Sequence, residues 1–357
     1  MSFVEFQGVS KSFGDTIAVE KLNIAIEKGE FFSLLGPSGC GKSTTLRMLA
    51  GFLPPSTGRI SVHGRDITRL PPEARGIGIV FQNYAIFPHM NVFDNIAFGL
   101  VERGEQKTEI ARKVDAALEQ VGLSGYGGRF ERELSGGQKQ RVALARVLVI
   151  EPEILLLDEP LSALDKKMRE EMKFWIKDIQ NSIGITTIYV THDQSEALTM
   201  SDRIAVMSNG RLLQVGSPRE IYEQPSSRFI AEFIGESNLL DVRVTSVNGV
   251  SCEVDLGGSL TVPARCSKQV KLSPDERVSL LLRPEMLRLA PMDAQEAPRL
   301  KGRIADSVYQ GALRRYRVIA GEHDFVVEVP NRPELAQLSS GDQVDVFWST
   351  ESGVVVP

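Results

Sequence analysis

The sequence predicts an α/β domain followed by an all-β one, and three observations carry that reading. First, short and largely apolar runs (30–35, 76–81, 154–157 and 186–190) alternate with stretches of helical period. This is the pattern of a mostly parallel sheet covered on both faces. Second, residues 36–43 read G-P-S-G-C-G-K-S between one such run and the helix-like 44–50. That octet matches G-x-x-x-x-G-K-[ST], a loop that cradles phosphates between a strand and a helix N-terminus. Third, after about Gly235 no helix-length periodic stretch occurs. Alternating segments at 240–247, 278–282, 302–308, 314–319, 325–329 and 343–348 are split by Gly, Pro, Asn and Asp, as in a small barrel. The expected organisation is therefore 1–235 and 236–357.

Taken in order, residues 3–9 and 22–26 read as strands, and 59–63 as another that ends in the turn Gly64-Arg-Asp66. Residues 76–81 form a buried-strand pattern. From Asn91 to about Leu148 the period is helical, clearest over Ala111–Val121. The run Ile154–Leu157 is a short apolar strand. A helix is expected from Lys166 to Ser182, after Asp165 and before Gly184. Residues 186–190 are strand-like and 195–200 give a turn or two of helix. Two apolar runs, 204–207 and 211–215, flank Asn209-Gly210, a strong hairpin signal.

Composition narrows the function. The chain has 357 residues, 42% hydrophobic and 24% charged, with a net charge of −5. Lys+Arg against Asp+Glu is 27 against 29 in residues 1–235 and 14 against 17 in 236–357. Neither part is basic, so no nucleic-acid-binding face is expected. No run of 18 apolar residues occurs, and Met-Ser-Phe-Val-Glu-Phe carries no signal-peptide pattern. Cys40, Cys252 and Cys266 lack metal spacing and suit a reducing cytoplasm. Cys40 lies inside the phosphate loop, where alkylation would block nucleotide entry; a small filler is its plainer role. Arg314-Arg-Tyr-Arg317 is a local basic patch, read as a solvated strand face.

The loop's chemistry follows from its residue types. Glycines let backbone N–H groups approach a phosphate, and the helix end adds partial positive charge. Gly36, Pro37, Ser38, Gly39, Cys40, Gly41, Lys42, Ser43 and Thr44 are accordingly the candidate nucleotide-binding residues. Lys42 is expected to reach the β- and γ-phosphates and Ser43 to hold Mg²⁺. The apolar strand 154–157 delivers Asp158 and Glu159 beside the loop. Asp158 is assigned to the metal through bound water. Glu159 is assigned as the general base for an attacking water.

Leu134-Ser-Gly-Gly-Gln138, followed by Lys139-Gln-Arg-Val-Ala-Leu-Ala-Arg146, is the discriminating motif. Ser135, Gly136 and Gly137 start a helix and offer a second phosphate-binding concavity. On this pentapeptide the chain resembles the ATP-binding-cassette family. The resemblance implies that two copies pair head to tail, each ATP lying between one copy's loop and the other's Ser135–Gln138. It assigns Phe13 to adenine stacking, although Phe13 taken alone reads as a core residue. It assigns Gln82 to the metal and the water, Asp165 in Ser162–Asp165 to the dimer-crossing loop, and His192 to the γ-phosphate beside Glu159.

Residues 1–235 are similar to the family's ATPase domain with its helical subdomain. Residues 236–357 are similar to the OB-like transport-associated barrel of importer ATPases. The stretch 82–99, Leu282-Arg-Pro-Glu285 and Tyr309-Gln-Gly311 are most similar to polyamine-type members. The resemblance implies an active ATPase at the cytoplasmic face of the bacterial inner membrane. Its partners are two transmembrane permease subunits and, indirectly, a periplasmic binding protein. The aromatic segment 83–95, with Tyr84, Phe87 and Phe93, is the expected permease contact, at least half of it serving as core. Importers of iron, sugar, sulfate or phosphonate are the alternative. A soluble cassette acting on nucleic acid or ribosomes is the rival class. It fits less well: no long coiled coil separates Ser43 from Leu134, only one cassette is present, and neither part is basic.

Overall fold

A computed structural model describes residues 2–249, 251–257, 260–266, 272–290, 299–332 and 338–357. The chain forms two compact units, Met1–Pro218 and Arg219–Pro357.

The first unit opens with an antiparallel sheet. Strands β1 (Val4–Phe13), β2 (Thr16–Ile26), β4 (Thr57–Val62) and β5 (Arg65–Asp66) pair in the order β2-β1-β4-β5. Both β1 and β2 run longer than their alternating patterns. Register shifts between Phe6 and Ser12 let β1 keep pairing past Gly8, so strand pairing overrides the weak local signal.

The second sheet has the order β10-β9-β3-β8-β7-β6. It comprises β3 (Phe31–Leu35), β6 (Ile77–Val80), β7 (Ile154–Asp158), β8 (Thr186–Thr191), β9 (Arg203–Ser208) and β10 (Arg211–Gly216). Its first five members in chain order are parallel, and β10 returns antiparallel through the Asn209-Gly210 turn.

The apolar runs are continuous because both faces of this sheet are covered. Phe32, Leu34, Ile154, Leu156, Ile188 and Val190 pack with the antiparallel sheet and with helix α1 (Lys42–Ala50). The alternate residues Phe31, Leu155, Leu157 and Tyr189 pack on the other side, against α4 (Gly136–Leu148) and α5 (Lys166–Ile183). Helix α5 starts and stops as its flanks predict. Asp165 accepts from the Met168 N–H, and Gly184 takes φ 70 at the C-terminus.

The helical stretch 91–148 is three helices: α2 (Val92–Glu102), α3 (Lys107–Gln120) and α4, with irregular chain through Gly122, Gly125, Gly127 and Gly128. They share a separate core of Val92, Ile96, Leu100, Val114, Leu118 and Val142. The short α6 (Gln194–Met200) follows β8.

The second unit begins with two six-residue helices that have no clear sequence signature, α7 (Pro218–Glu223, its first residue closing the first unit) and α8 (Arg228–Phe233). A closed barrel follows in the order β11-β12-β13-β20-β14: β11 (Asn238–Asn248), β12 (Ser251–Asp255), β13 (Thr261–Cys266), β14 (Arg277–Leu282) and β20 (Val354–Val356). A five-stranded sheet completes the unit in the order β15-β19-β16-β17-β18: β15 (Leu287–Ala290), β16 (Arg299–Tyr309), β17 (Leu313–Ala320), β18 (His323–Pro330) and β19 (Gln343–Trp348). The patch 314–317 lies on β17. It is largely neutralised, with Arg315 on Glu236 and Arg317 on Asp324, while Arg314 lies over the Tyr309 ring. Among the described residues, no helix is long and apolar enough to cross a membrane.

One buried cation holds the phosphate-loop helix in place. Arg75 is 6% exposed and donates to the carbonyls of Met48 and Leu49 at 2.8 Å each, at the C-terminal end of α1. It also donates to Leu70 and Thr68. It therefore adds donors to the last carbonyls of α1, where Met48 otherwise accepts only the long 3.3 Å bond from the Gly51 N–H, and sits at the negative end of the helix dipole. Replacing it with methionine keeps the bulk and removes those charged donors from the buried carbonyls. Arg75→Met is expected to destabilise the first unit by about 2–3 kcal/mol in denaturant unfolding. An unchanged midpoint would show that water replaces the guanidinium without cost.

Candidate functional site

Four neighbouring parallel strands end at one edge of the sheet. Leu35 of β3 pairs with Thr191 of β8, Asp158 of β7 with Val190, and Val80 of β6 with Leu157. The residues that leave these strands are therefore brought together: the loop from Gly36, His192, Glu159 and Gln82. Open parallel sheets present ligand sites at this carboxyl edge.

The loop is pressed onto the protein so tightly that side chains are excluded. A Cβ on Gly36 would stand 2.2 Å from the Met207 carbonyl oxygen, and one on Gly41 2.4 Å from that of Ala18. Gly41 also needs φ 102. Such a cradle, opening into a helix N-terminus with Ser38 and Gly39 exposed, fits a phosphate chain. Lys42 is 4% exposed, and its ammonium donates to the carbonyls of Gly36 at 2.7 Å and Pro37 at 2.9 Å. Cys40 is buried beneath the loop, and that burial pushes its thiol pKa up against the pull of Lys42. The thiol is held as a filler in the protonated form.

Ser43 joins the loop to the acid strand. Its hydroxyl donates to Asp158 Oδ1 at 2.9 Å. Burial raises the Asp158 pKa, opposed by this hydrogen bond and by Arg47. A buried carboxylate beside a hydroxyl is a hard-oxygen donor set that fits Mg²⁺.

Glu159, the next residue, has φ 47, a left-handed conformation that costs a non-glycine residue energy. Its N–H is held by the Val190 carbonyl at 3.0 Å. The turn aims its carboxylate at His192, with Oε2 3.2 Å from Nδ1. From the other side, Gln82 Nε2 donates to Ser162 Oγ at 3.1 Å, and that hydroxyl donates to the Glu159 carbonyl at 2.9 Å. Hydrogen bonds thus link Gln82, Ser162, Glu159 and His192 in series, with Ser43 bonded to Asp158 alongside. The Ser162 hydroxyl was legible only as part of the loop to Asp165, because its partner Gln82 lies 80 positions away.

The remaining candidates lie outside this network. Ser135 caps α4 and closes a box with Gln138: the Gln138 N–H reaches Ser135 Oγ at 3.3 Å, and Gln138 Oε1 accepts from the Ser135 N–H at 2.9 Å. A Cβ on Gly137 would meet Met168 Sδ at 2.7 Å, and one on Gly136 would meet Leu164 Cδ2 at 3.0 Å. The helix start is therefore packed against the segment around Asp165. Asp165 itself is spent on capping α5. Phe13, at the end of β1, is 52% exposed with Lys11 5.1 Å above its ring. This corrects its reading as a core residue and leaves a free aromatic face.

Residues 19–162 match the ABC transporter family model, and residues 280–356 match the TOBE domain. The chain is 47% identical over 354 residues to the spermidine/putrescine import ATP-binding protein PotA of Rubrobacter xylanophilus, covering 99% of this chain and 93% of that one. It is 46% identical over 362 residues to the protein of that name from Pseudomonas aeruginosa, covering 99% and 98%. Among solved structures it resembles a dimeric ATP-binding cassette in a post-hydrolysis state bound to ADP and Pi. That match has a TM-score of 0.54 and 30% identity, covering 60% of this chain and 99% of the other. A strand edge that gathers loop, acids, glutamine and histidine, together with relatives matched over nearly their full lengths, leads to one conclusion: the chain belongs to the ATP-binding-cassette transporter family.

Proposed function

We propose that this chain is the ATP-hydrolysing subunit of a bacterial importer of polyamines. The single observation that carries the catalytic reading is the shared strand edge, where the Ser43–Asp158 and Glu159–His192 contacts converge beside the glycine loop. The solute class rests on the names of the relatives, which span this chain nearly end to end.

In this reading the loop 36–44 holds the triphosphate through its N–H groups, and Lys42 exchanges its loop carbonyls for phosphate oxygens. Ser43, Asp158 and Gln82 hold Mg²⁺, which supplies charge neutralisation at the phosphates when bound. Glu159 accepts a proton from water, and His192 orients it from the other side. Phe13 offers the face on which adenine stacks. Ser135, Gly136, Gly137 and Gln138 serve the nucleotide of a second copy, with Asp165 on the loop between copies. The dimeric cassette that resembles this chain supports that pairing.

The chain works at the cytoplasmic face of the inner membrane, bound to two permease subunits that receive substrate from a periplasmic binding protein. Within 83–95, Tyr84 is core and Phe93 packs against the helical subdomain. Phe87 lies half-buried against the exposed Phe98, with Pro88 and His89 outside, as a surface for a permease helix.

Three outcomes test this. Deleting the gene is expected to abolish uptake of labelled spermidine or putrescine by intact cells; uptake at the wild-type rate would remove the polyamine assignment. Glu159→Gln is expected to bind ATP normally and lose about 10²-fold or more in turnover, the usual worth of a general base. Full turnover in that variant would exclude Glu159 from the proton transfer. Lys42→Ala is expected to weaken ATP binding by roughly tenfold or more, as loss of a charged hydrogen bond predicts. Unchanged affinity in a nucleotide titration would contradict its role.

A further inference from the structure

The His192 imidazole is held by little of its own. Its side chain is 55% exposed, and its hydrogen-bonding contact is the 3.2 Å approach to Glu159. Its position must therefore come from the backbone on either side, and both flanking residues are tied down. The Asp193 N–H donates to Thr191 Oγ1 at 2.9 Å. That hydroxyl in turn donates to Glu196 Oε2 at 2.6 Å, and Tyr189 Oη donates to the same oxygen at 2.7 Å. Asp193 Oδ1 caps α6 by accepting from the N–H groups of Ser195 at 2.8 Å and Glu196 at 3.3 Å. Glu196 is 3% exposed, and burial raises its pKa against the pull of the two hydroxyls. The histidine is thus carried on a turn whose two ends converge on one residue, Thr191 on the Glu196 carboxylate and Asp193 on the Glu196 N–H.

A second element reaches this turn from outside. Arg169 lies in the first turns of α5, directly after the loop 162–165. Its Nη2 donates to the Leu164 carbonyl at 3.1 Å, and its Nη1 donates to Asp193 Oδ2 at 3.4 Å. Its Nε lies 3.8 Å from Glu196 Oε1, is buried and has no hydrogen-bond partner. One planar fork therefore spans the loop that leads to Asp165, the cap beside His192 and the buried anchor. A guanidinium holds such a geometry where a single ammonium does not. An arginine serving only as a helix-surface ion pair would not need a loop carbonyl and a cap at once.

We propose that Arg169 is a positioning residue that couples the 162–165 loop to the His192 turn, with Glu196 as the fixed anchor. A shift of the loop on pairing with a second copy is then transmitted to the imidazole through one side chain. The proposal deepens the reading of His192 given above and rests on it.

The test is a double-mutant cycle in the full-length chain assembled with its permease subunits. Arg169→Met is expected to lower kcat for ATP about tenfold, leaving KM within about twofold, because it displaces a reaction group without touching the nucleotide. In a His192→Ala background the same substitution is expected to change the remaining kcat by less than about twofold, since the group it positions is gone. Amide hydrogen exchange at residues 191–196 is expected to accelerate in Arg169→Met while the unfolding midpoint stays near wild type. Arg169→Lys, which keeps the charge and loses the fork, is expected to fall between the two. Equal losses of kcat in both backgrounds, or wild-type turnover and exchange in Arg169→Met, would overturn the coupling. Wild-type turnover in His192→Ala alone would instead overturn the reading of His192, and hydrogen exchange would still report on the bridge.

Discussion

The 2.9 Å hydrogen bond from Ser43 to Asp158 is the joint on which the first unit's chemistry depends. It connects the first turn of α1 to the last residue of β7, so two segments 115 positions apart in sequence act as one site. The bond is held in place because both ends are fixed independently. Arg75 anchors the far end of α1, and β7 lies between β6 and β8 within a sheet buried on both faces. A buried carboxylate without that hydroxyl would be costly to keep ionised.

One strained residue sits where the chain leaves β7. Glu159 adopts a left-handed backbone directly after Asp158, and the Val190 carbonyl and the Ser162 hydroxyl hold it there. Two successive acids on a regular strand would point to opposite faces. The turn breaks that alternation and lets both serve the same edge. The cost is met by the surrounding hydrogen bonds rather than by Glu159 itself.

Much of the site was legible in the sequence because its parts are contiguous. The glycine loop, the Ile154–Glu159 strand and Ser135–Gln138 each carry their meaning in five to eight adjacent residues. The caps at Asp165 and Ser135 follow from local rules that need no tertiary context. What was not legible depends on distant partners. The barrel strands β12 and β13 are short and pair with their sequence neighbours, while β20 gains its pairing from β13 and β14, far back in the sequence. The helices α7 and α8, six residues each, are too short to show a period. Phe13 reads as core because aromatic residues usually are, and only the end of β1 leaves it exposed. Arg169 and Glu196 belong to no spaced motif, since their meaning arises from where the start of α5 meets the cap and first turn of α6.

The capping box at Ser135 has a consequence for what that helix start will accept from outside. One lone pair of the Ser135 hydroxyl is engaged by the Gln138 N–H, and the Ser135 N–H is engaged by the Gln138 side-chain oxygen Oε1. A hydroxyl has a single hydrogen, and here that hydrogen has no role inside the box. It is free to turn toward an acceptor beside the exposed backbone of Gly136. With the partial positive charge of the helix start, that proton favours electron-rich visitors. The same closure that stabilises the helix also sets the sign of charge it welcomes.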